Sequence, residues 1–304
     1  MMKILSGTSL RAIFGRAVLR LNKSQVFGAS LFTFLFTFLV INLTSVSSVY
    51  AANPQLQTNL AKASNTVSSN AYAFNRCRKF QAKPFDKKSR KKKVIIIGDS
   101  QGCDFLNGAL ENGYLKNYQI QFRFVPFTCQ RVPWEGVEKY IEPRHRNFCL
   151  KSGRADSLEK AKEQVKEANM VIFAALWKPE VAKKLHQTFR YLGVTKNQQV
   201  VVVGNKFFGK VTINNYIHMP DRELKTLRND VGTDSQTVNS ILKKQVANRG
   251  LFVDTHKLIC GDSPTCPVFT NNLRLISYDG RHLTRSGARY IGKIMFQRTG
   301  LGRI

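Results

Sequence analysis

The stretch VIIIGDS, residues 94–100, decides the fold class of this chain of 304 residues. Four consecutive β-branched residues that end at Gly98 are typical of a short strand buried on both faces, as the strands of a parallel sheet are. Four further stretches have strand character, at residues 120–127, 170–174, 200–203 and 251–253. The chain therefore predicts several strands of one parallel sheet.

Segments with helical periodicity separate these strands. Asp156 is followed three residues later by Glu159, the pattern of a capped helix start, and apolar residues then recur at helical spacing. A second helix is predicted to end at Gly193, a third to cover residues 238–246, and the last to be capped by Thr284. Strands that alternate with helices predict a three-layer α/β/α sandwich with a mainly parallel sheet, of the flavodoxin-like kind.

The first 52 residues predict export through a signal peptide or a membrane anchor. Residues 1–25 carry five basic residues and no acidic one, and an uncharged apolar run covers residues 26–41. Basic residues before such a run place the rest of the chain outside the cytoplasm. Small residues favour cleavage after Ala51, whereas the apolar stretch 26–46 is also long enough to remain in the inner membrane as an anchor. Both readings predict a periplasmic or cell-surface protein.

Residues 53–93 are predicted to be a polar and then basic linker. Residues 53–73 are rich in Asn, Ser, Thr, Gln and Ala and offer little to bury. Residues 76–93 carry ten basic residues and one acidic residue, Asp86. A solvated linker explains this segment, and so does an electrostatic handle for an anionic polymer or for lipid head groups.

The whole chain is strongly basic, with 48 Lys and Arg against 19 Asp and Glu and a net charge of +29. Such a charge indicates an anionic partner. Export favours an anionic polysaccharide as that partner, and no nucleic acid is expected.

Six cysteines in an exported chain favour disulfide bonds. Cys260 and Cys266 close a short loop and form the favoured pair, and Cys129 with Cys149 is the second. The pairing of the other two stays open, and Cys103 is also explained as a small buried apolar residue. The cysteine and histidine spacing predicts no zinc site, and no metal or cofactor is expected.

The carboxyl end of the first strand carries the tripeptide Gly98-Asp99-Ser100. Ligands of open α/β sheets bind beyond the carboxyl ends of the strands, where a serine can present its hydroxyl beside backbone N–H groups. The alternative is a serine that only caps the following helix. A serine nucleophile needs a histidine base, and that base needs a carboxylate that fixes its tautomer. Asp279 and His282, near the C-terminus, supply such a pair.

These two motifs resemble the first and last signature blocks of the SGNH (GDSL-like) hydrolases. The last block reads DGRHLTRSGA, residues 279–288. The preceding loop between Cys260 and Cys266 makes the chain similar to the SGNH domains linked to bacterial membrane O-acyltransferases. The resemblance covers about residues 94–300, and it implies an SGNH-type catalytic domain over residues 94–304. It further implies Ser100 as nucleophile, His282 as general base and Asp279 as the carboxylate that orients the base.

The middle of the chain departs from the family pattern. Residues 127–129, FTC, stand where the family has a glycine, and residues 175–178, ALWK, stand where it has Gly-x-Asn-Asp. The backbone N–H of Ser100 is therefore the favoured oxyanion donor. Trp177 either walls an acyl or sugar pocket or belongs to the core. The expected substrate-binding residues are Asp99, Gln101, Trp177 and Asn205.

The sequence thus predicts an exported serine-dependent O-acyltransferase or esterase that acts on a bacterial cell-surface polysaccharide through an acyl-Ser100 intermediate. Acetyl is the favoured acyl group. The resemblance favours a transferase, which would take its acyl group from a separate membrane acyltransferase. The alternative is a non-catalytic carbohydrate-binding or scaffold module of a polysaccharide export or modification complex.

Overall fold

The computed structural model describes residues 54–304. The predicted signal peptide or anchor, residues 1–52, lies outside this range. Within it, none of the helices combines the length and the apolar character that a membrane crossing requires.

The described residues contain one parallel sheet and one small antiparallel pair. The strands are β1 (Lys92–Gly98), β2 (Tyr118–Phe124), β3 (Met170–Ala174), β4 (Gln199–Val203), β5 (Arg228–Asp230), β6 (Leu251–Val253) and β7 (Thr265–Pro267). The parallel sheet has the order β2-β1-β3-β4-β6, and β5 pairs with β7. This order confirms the predicted parallel sheet. It also opens a crevice at the carboxyl ends of β1 and β3, where the winding direction reverses.

Helices lie on both sides of the parallel sheet. They are α1 (Pro54–Ser64), α2 (Thr66–Phe80), α3 (Ser100–Glu111), α4 (Pro143–Leu150), α5 (Leu158–Glu167), α6 (Pro179–Ala182), α7 (Leu185–Leu192), α8 (Ile213–Tyr216), α9 (Asp221–Thr226), α10 (Asp234–Val246), α11 (Thr255–Cys260) and α12 (Arg285–Arg298). Helices α3 and α12 share a core with Val94 and Ile96 of β1. Helices α5, α7 and α10 share the opposite core with Ile95 and Ile97. The predicted α/β/α sandwich is confirmed.

The start of α5 differs from the prediction, because Asp156 does not cap it. Ser157 is the cap and accepts from the backbone N–H of Lys160 at 3.4 Å. The buried Asp156 carboxylate accepts from the backbone N–H of Phe124 at 2.9 Å and pairs with Arg123 at 3.2 Å. A buried carboxylate costs free energy unless it is hydrogen-bonded or paired, and Asp156 finds these partners on β2. Asp156 therefore joins β2 to the start of α5.

Two other helix ends lie where the sequence predicts them. Gly193 ends α7 with a φ of +71°, a conformation that glycine adopts without strain. The hydroxyl of Thr284 caps α12 and accepts from the backbone N–H of Gly287 at 3.0 Å.

Residues 54–80, assigned to a linker from the sequence, form α1 and α2 and belong to the fold. Helix α2 lies against α3, where the Asn107 side chain donates to the backbone carbonyl of Ala73 at 3.0 Å. Arg76 pairs with Glu111 at 2.8 Å. Only Ala73 and Cys77 of α2 are buried. The many polar and basic residues of α2 obscure its apolar side chains in the sequence, although Tyr72, Phe74 and Phe80 pack against the core.

All six cysteines form disulfide bonds. The predicted pairs Cys260–Cys266 and Cys129–Cys149 are confirmed. The third bond joins Cys77 to Cys103, so Cys103 is not the unpaired apolar residue that the sequence allowed. This bond fastens α2 to α3.

Removing the Cys77–Cys103 bond should destabilise the fold more than removing the Cys260–Cys266 bond. The two bonds close sequence separations of 26 and 6 residues. Chain entropy then predicts losses of about 3 to 4 kcal/mol and about 2 kcal/mol for the paired Cys→Ser variants. Urea unfolding of the oxidised proteins measures both. An unchanged unfolding midpoint after removal of Cys77 and Cys103 would contradict the role given to this bond.

Candidate active site

Ser100 is the first residue of α3 and follows the carboxyl end of β1. Asp99 caps the helix, because its Oδ1 accepts from the backbone N–H of Gln101 at 2.9 Å. The Ser100 hydroxyl therefore does not serve as the helix cap. It is partly exposed and forms no hydrogen bond with any of residues 54–304. A serine in this position is free to react with a ligand.

The carboxylate of Asp99 joins the ends of two strands. It is buried, and the backbone N–H of Leu176, after β3, lies 3.1 and 3.0 Å from its two oxygens. Burial raises the pKa of Asp99 to about 6, although the N–H groups of Gln101 and Leu176 and the charges of Lys206 and His282 oppose this rise. His282 is therefore close enough to Asp99 for its charge to affect that carboxyl group.

Asp279 and His282 form the hydrogen-bonded pair that their spacing predicts. Asp279 Oδ2 lies 2.6 Å from His282 Nδ1, and Oδ1 accepts from the backbone N–H groups of Arg281 and His282 at 2.9 and 2.7 Å. Burial alone would raise the pKa of Asp279, but the hydrogen bonds from His282 and Arg281 outweigh it and lower the pKa. A carboxylate at Nδ1 leaves Nε2 of a neutral imidazole as the free proton acceptor.

The His282 ring contacts two aromatic rings. Phe74 of α2 approaches it with a centroid distance of 5.4 Å, and Tyr278 stacks on it at 5.8 Å. The Tyr278 hydroxyl in turn donates to Asn70 of α2 at 2.8 Å. Phe74 was not predicted as a site residue, because the polar composition of residues 53–73 and the basic residues 76–93 indicated a linker.

A buried ion pair fixes the segment that carries His282. Lys206 Nζ lies 2.7 Å from Asp104 Oδ2, and both side chains are buried, at 6% and 0% exposed. Lys206 also donates to the backbone carbonyl of Arg281 at 3.0 Å, and Asp104 accepts from the backbone N–H of Leu283 at 3.1 Å. These hydrogen bonds fix the backbone on both sides of His282. No local sequence pattern pairs Lys206 with Asp104, which is 102 residues earlier.

The expected substrate-binding residues lie near Ser100, but their side chains are engaged within the protein. Asp99, Gln101, Trp177 and Asn205 are each at most 6% exposed. Gln101 donates to the backbone carbonyl of Lys206 at 3.1 Å. Asn205 accepts from the backbone N–H of Trp177 at 2.7 Å. In this arrangement the four residues hold the loops around the site in place.

A cavity of about 330 Å³ adjoins these loops on the sheet face opposite α3. Its lining includes Gly98, Gln130 and Trp177, but neither Ser100 nor His282. Trp177 is thus a core residue that also walls a cavity, and its indole N–H donates to the Val203 carbonyl at 2.9 Å. Gln130, which the sequence did not single out, donates to the Leu176 carbonyl at 2.7 Å.

His256 lies close to the Cys260–Cys266 bond, with the three possible ligand atoms within 4.8 Å of one another. Metal ions bind the thiolate form of cysteine, and here each sulfur is bonded to the other. Within residues 54–304, the disulfide therefore leaves the imidazole of His256 as the single possible ligand of this group.

Comparison with known proteins identifies one protein family and several structures. The family of SGNH domains fused to AT3 domains matches residues 65–297, a range that includes α2. No curated protein matches the chain. One similar structure is described as an acylhydrolase of Bacteroides fragilis, at 13% identity and a TM-score of 0.38, covering 77% of this chain and 95% of that chain. Another is the catalytic domain of peptidoglycan O-acetyltransferase A of Streptococcus pneumoniae, at 11% identity and a TM-score of 0.34, covering 68% and 94%.

Replacing Lys206 should destabilise the fold because it leaves the Asp104 carboxylate buried without its partner. Lys206→Met is expected to cost about 3 to 5 kcal/mol, and adding Asp104→Leu should recover part of this loss. Urea unfolding measures both values. Lys257→Met is the control, since its ion pair with Asp262 is exposed and contributes little. Equal effects of Lys206→Met and Lys257→Met would argue against a buried pair.

Proposed function

The chain belongs to the family of SGNH domains found fused to AT3 domains, and on this premise we propose that it is a serine-dependent O-acyltransferase or esterase of a bacterial cell-surface polysaccharide. Acetyl is the favoured acyl group. The observation that supports the proposal is the Asp279–His282 hydrogen bond of 2.6 Å, together with the bond from the backbone N–H of Leu283 to Asp104, which lies one turn after Ser100 in α3.

The reaction proceeds through an acyl-Ser100 intermediate. His282 Nε2 takes the proton of the Ser100 hydroxyl as Oγ attacks the acyl carbonyl, and Asp279 stabilises the imidazolium that forms. The N–H of Ser100, in the first turn of α3, holds the oxyanion. His282 then gives its proton to the leaving oxygen of the donor. In the second half, His282 deprotonates a sugar hydroxyl or water as its oxygen attacks the acyl carbonyl, and His282 then returns the proton to Ser100 Oγ as the acyl–Oγ bond breaks.

The transferase and the esterase differ only in the acceptor of the second half-reaction. We favour the transferase, with an acyl donor delivered by a separate membrane acyltransferase. The family description, in which the SGNH domain is fused to an AT3 domain, supports this preference.

Location outside the cytoplasm follows from the proposal. The three disulfides support it, because such bonds persist in oxidising compartments. Either a signal peptide cleaved near Ala51 or an anchor at residues 26–46 would place residues 54–304 in the periplasm or at the cell surface.

A second function is a non-catalytic carbohydrate-binding or scaffold module. Two observations favour it. Within residues 54–304, Ser100 forms no hydrogen bond to His282, and the side chains expected to bind substrate are engaged inside the fold. Catalytic hydrogen bonds often form only when substrate is bound, so the enzyme remains the first proposal.

Loss of Ser100 or His282 should remove nearly all esterase activity. Ser100→Ala and His282→Ala are each expected to lower the turnover of p-nitrophenyl acetate by about three powers of ten, and the double variant should be little worse because the two residues act as a unit. Ser286→Ala and His145→Ala serve as matched controls. A fluorophosphonate label should attach to the parent protein and not to Ser100→Ala. Retention of more than about a tenth of the activity by Ser100→Ala would refute Ser100 as the nucleophile, whereas a parent protein with neither activity nor label would favour the binding module.

The basic segment before β1 should strengthen binding of an acidic polysaccharide without changing the rate of the chemical step. Lys87, Lys88 and Arg90 are exposed there, and β1 separates them from Ser100 by about 20 Å. Replacing the three by Ser should raise KM for an acetylated acidic polysaccharide at low salt, and the difference should shrink at physiological salt.

The same triple variant should hydrolyse p-nitrophenyl acetate normally, since only substrate binding is lost. Replacing Lys243, Lys244 and Arg249, which are exposed after β4, by Ser removes the same charge elsewhere and is the control. Equal KM changes in both variants would mean that net charge, and not the segment, attracts the polymer.

A further inference from the structure

Trp134 presents its indole ring to solvent from the loop that the Cys129–Cys149 bond closes. The side chain is 65% exposed, and its backbone φ is +66°. A large aromatic side chain is normally mostly buried, and the left-handed conformation disfavours bulky residues. Neither burial nor backbone preference explains a tryptophan here. Strained residues of this kind occur at binding sites.

The indole ring contacts one other aromatic ring, that of Tyr191, which is fixed in position. The ring of Tyr191 lies 5.3 Å from that of Trp134 and nearly perpendicular to it, at 79°. The Tyr191 hydroxyl donates to Glu159, which also accepts from Arg131 at 2.8 Å. We call Trp134 and Tyr191, with these two polar neighbours, the aromatic platform. The hydrogen bond to Glu159 fixes the Tyr191 ring in the absence of a ligand.

The acidic side chains around the aromatic platform are paired with basic ones, whereas Lys162, in the described part of the chain, has no acidic partner. Glu159 pairs with Arg131, and Glu135, next to Trp134, pairs with Lys139 and Lys184. Lys162 lies 3.8 Å above the Tyr191 ring and has no acidic partner among residues 54–304. An anionic group on a ligand at the platform would find this ammonium group unpaired.

Trp134 and Arg131 of the aromatic platform belong to the loop between Cys129 and Cys149, which lies beside the candidate active site. Gln130 of this loop bonds to the Leu176 carbonyl, and the Leu176 N–H bonds to Asp99 beside Ser100. Trp134 lies four positions after Gln130, and four Cα–Cα steps span at most about 14 Å. An extended polymer of a few sugar units can therefore reach from Ser100 to Trp134.

We propose that the aromatic platform binds a pyranose ring of an acidic glycan, the same chain that Ser100 modifies a few units away. The apolar C–H face of a pyranose ring stacks on an open aromatic face, and its hydroxyls can bond to Arg131 and Glu159. Lys162 pairs with a carboxylate of the glycan. Glu135 and Glu159 argue against insertion into a bilayer, which would strip both carboxylates of water. The inference rests on the proposed function for the link to Ser100.

Binding is tested in the Ser100→Ala protein, so that catalysis plays no part. Alginate oligosaccharide is the acidic probe and dextran of equal length the neutral one. Alginate should shift the tryptophan emission to the blue with saturation, and dextran should bind at least tenfold more weakly. The chain has two tryptophans, and Trp177 is 6% exposed, so the shift reports on Trp134.

Trp134→Gly separates binding from folding, because glycine adopts the left-handed conformation without strain. The unfolding midpoint in urea should stay or rise, while alginate affinity by titration calorimetry should fall at least tenfold. Lys162→Gln should weaken alginate binding and flatten its salt dependence. Val67→Ala, at a side chain that is 79% exposed, is the control and should leave affinity unchanged.

Two results would overturn the proposal that the aromatic platform binds an acidic glycan. One is unchanged alginate affinity in Trp134→Gly. The other is an emission shift with phosphatidylglycerol vesicles and none with alginate, which would assign Trp134 to a membrane contact. Neither result bears on the esterase activity of Ser100. Conversely, alginate binding that depends on Trp134 in a protein without Ser100-dependent activity would refute the enzyme and retain the platform.

Discussion

The close approach of β1 to β3 at Gly98 is the contact on which the candidate site depends. Gly98 pairs with Ala174, and a Cβ at Gly98 would lie 1.7 Å from the carbonyl oxygen of Ala174. Only glycine therefore lets the two strands end side by side. Asp99 can then reach the backbone N–H of Leu176 and cap α3 at the same time. Ser100 is left at the rim of the sheet with a hydroxyl that is not needed for the cap.

Placement of the base relies on interactions of a different kind. The turn from Asp279 to His282 is local, but the Asp104–Lys206 pair holds that turn against α3. A buried ion pair gains little net stability over apolar side chains, because both charges lose their water. Its contribution here is geometric, since its hydrogen bonds fix the backbone on both sides of His282.

Two segments lie beside the candidate site, and a disulfide fastens each. Helix α2 brings Phe74 against His282 and is tied to α3 by Cys77–Cys103. The loop that carries Gln130 and Trp134 is closed by Cys129–Cys149. Each segment also packs apolar side chains into the core, among them Phe74 of α2 and Ile141 of the loop. A covalent bond reduces the entropy that such a segment loses on folding, which suits a protein of an oxidising compartment.

The sequence by itself determined the features whose signals are local. The buried strands show as apolar runs, Gly193 and Thr284 mark helix ends, and the spacing from Asp279 to His282 closes one hydrogen-bonded turn. The Cys260–Cys266 and Cys129–Cys149 pairs belong to this group because each lies within a short stretch of chain. Only the tertiary structure decided the rest. Asp156 matches a capping pattern yet bonds to Phe124, since a buried donor from β2 competes for its carboxylate. Helix α2, the Asp104–Lys206 pair and the contact of Trp134 with Tyr191 depend on residues far apart in the chain, which packing alone brings together.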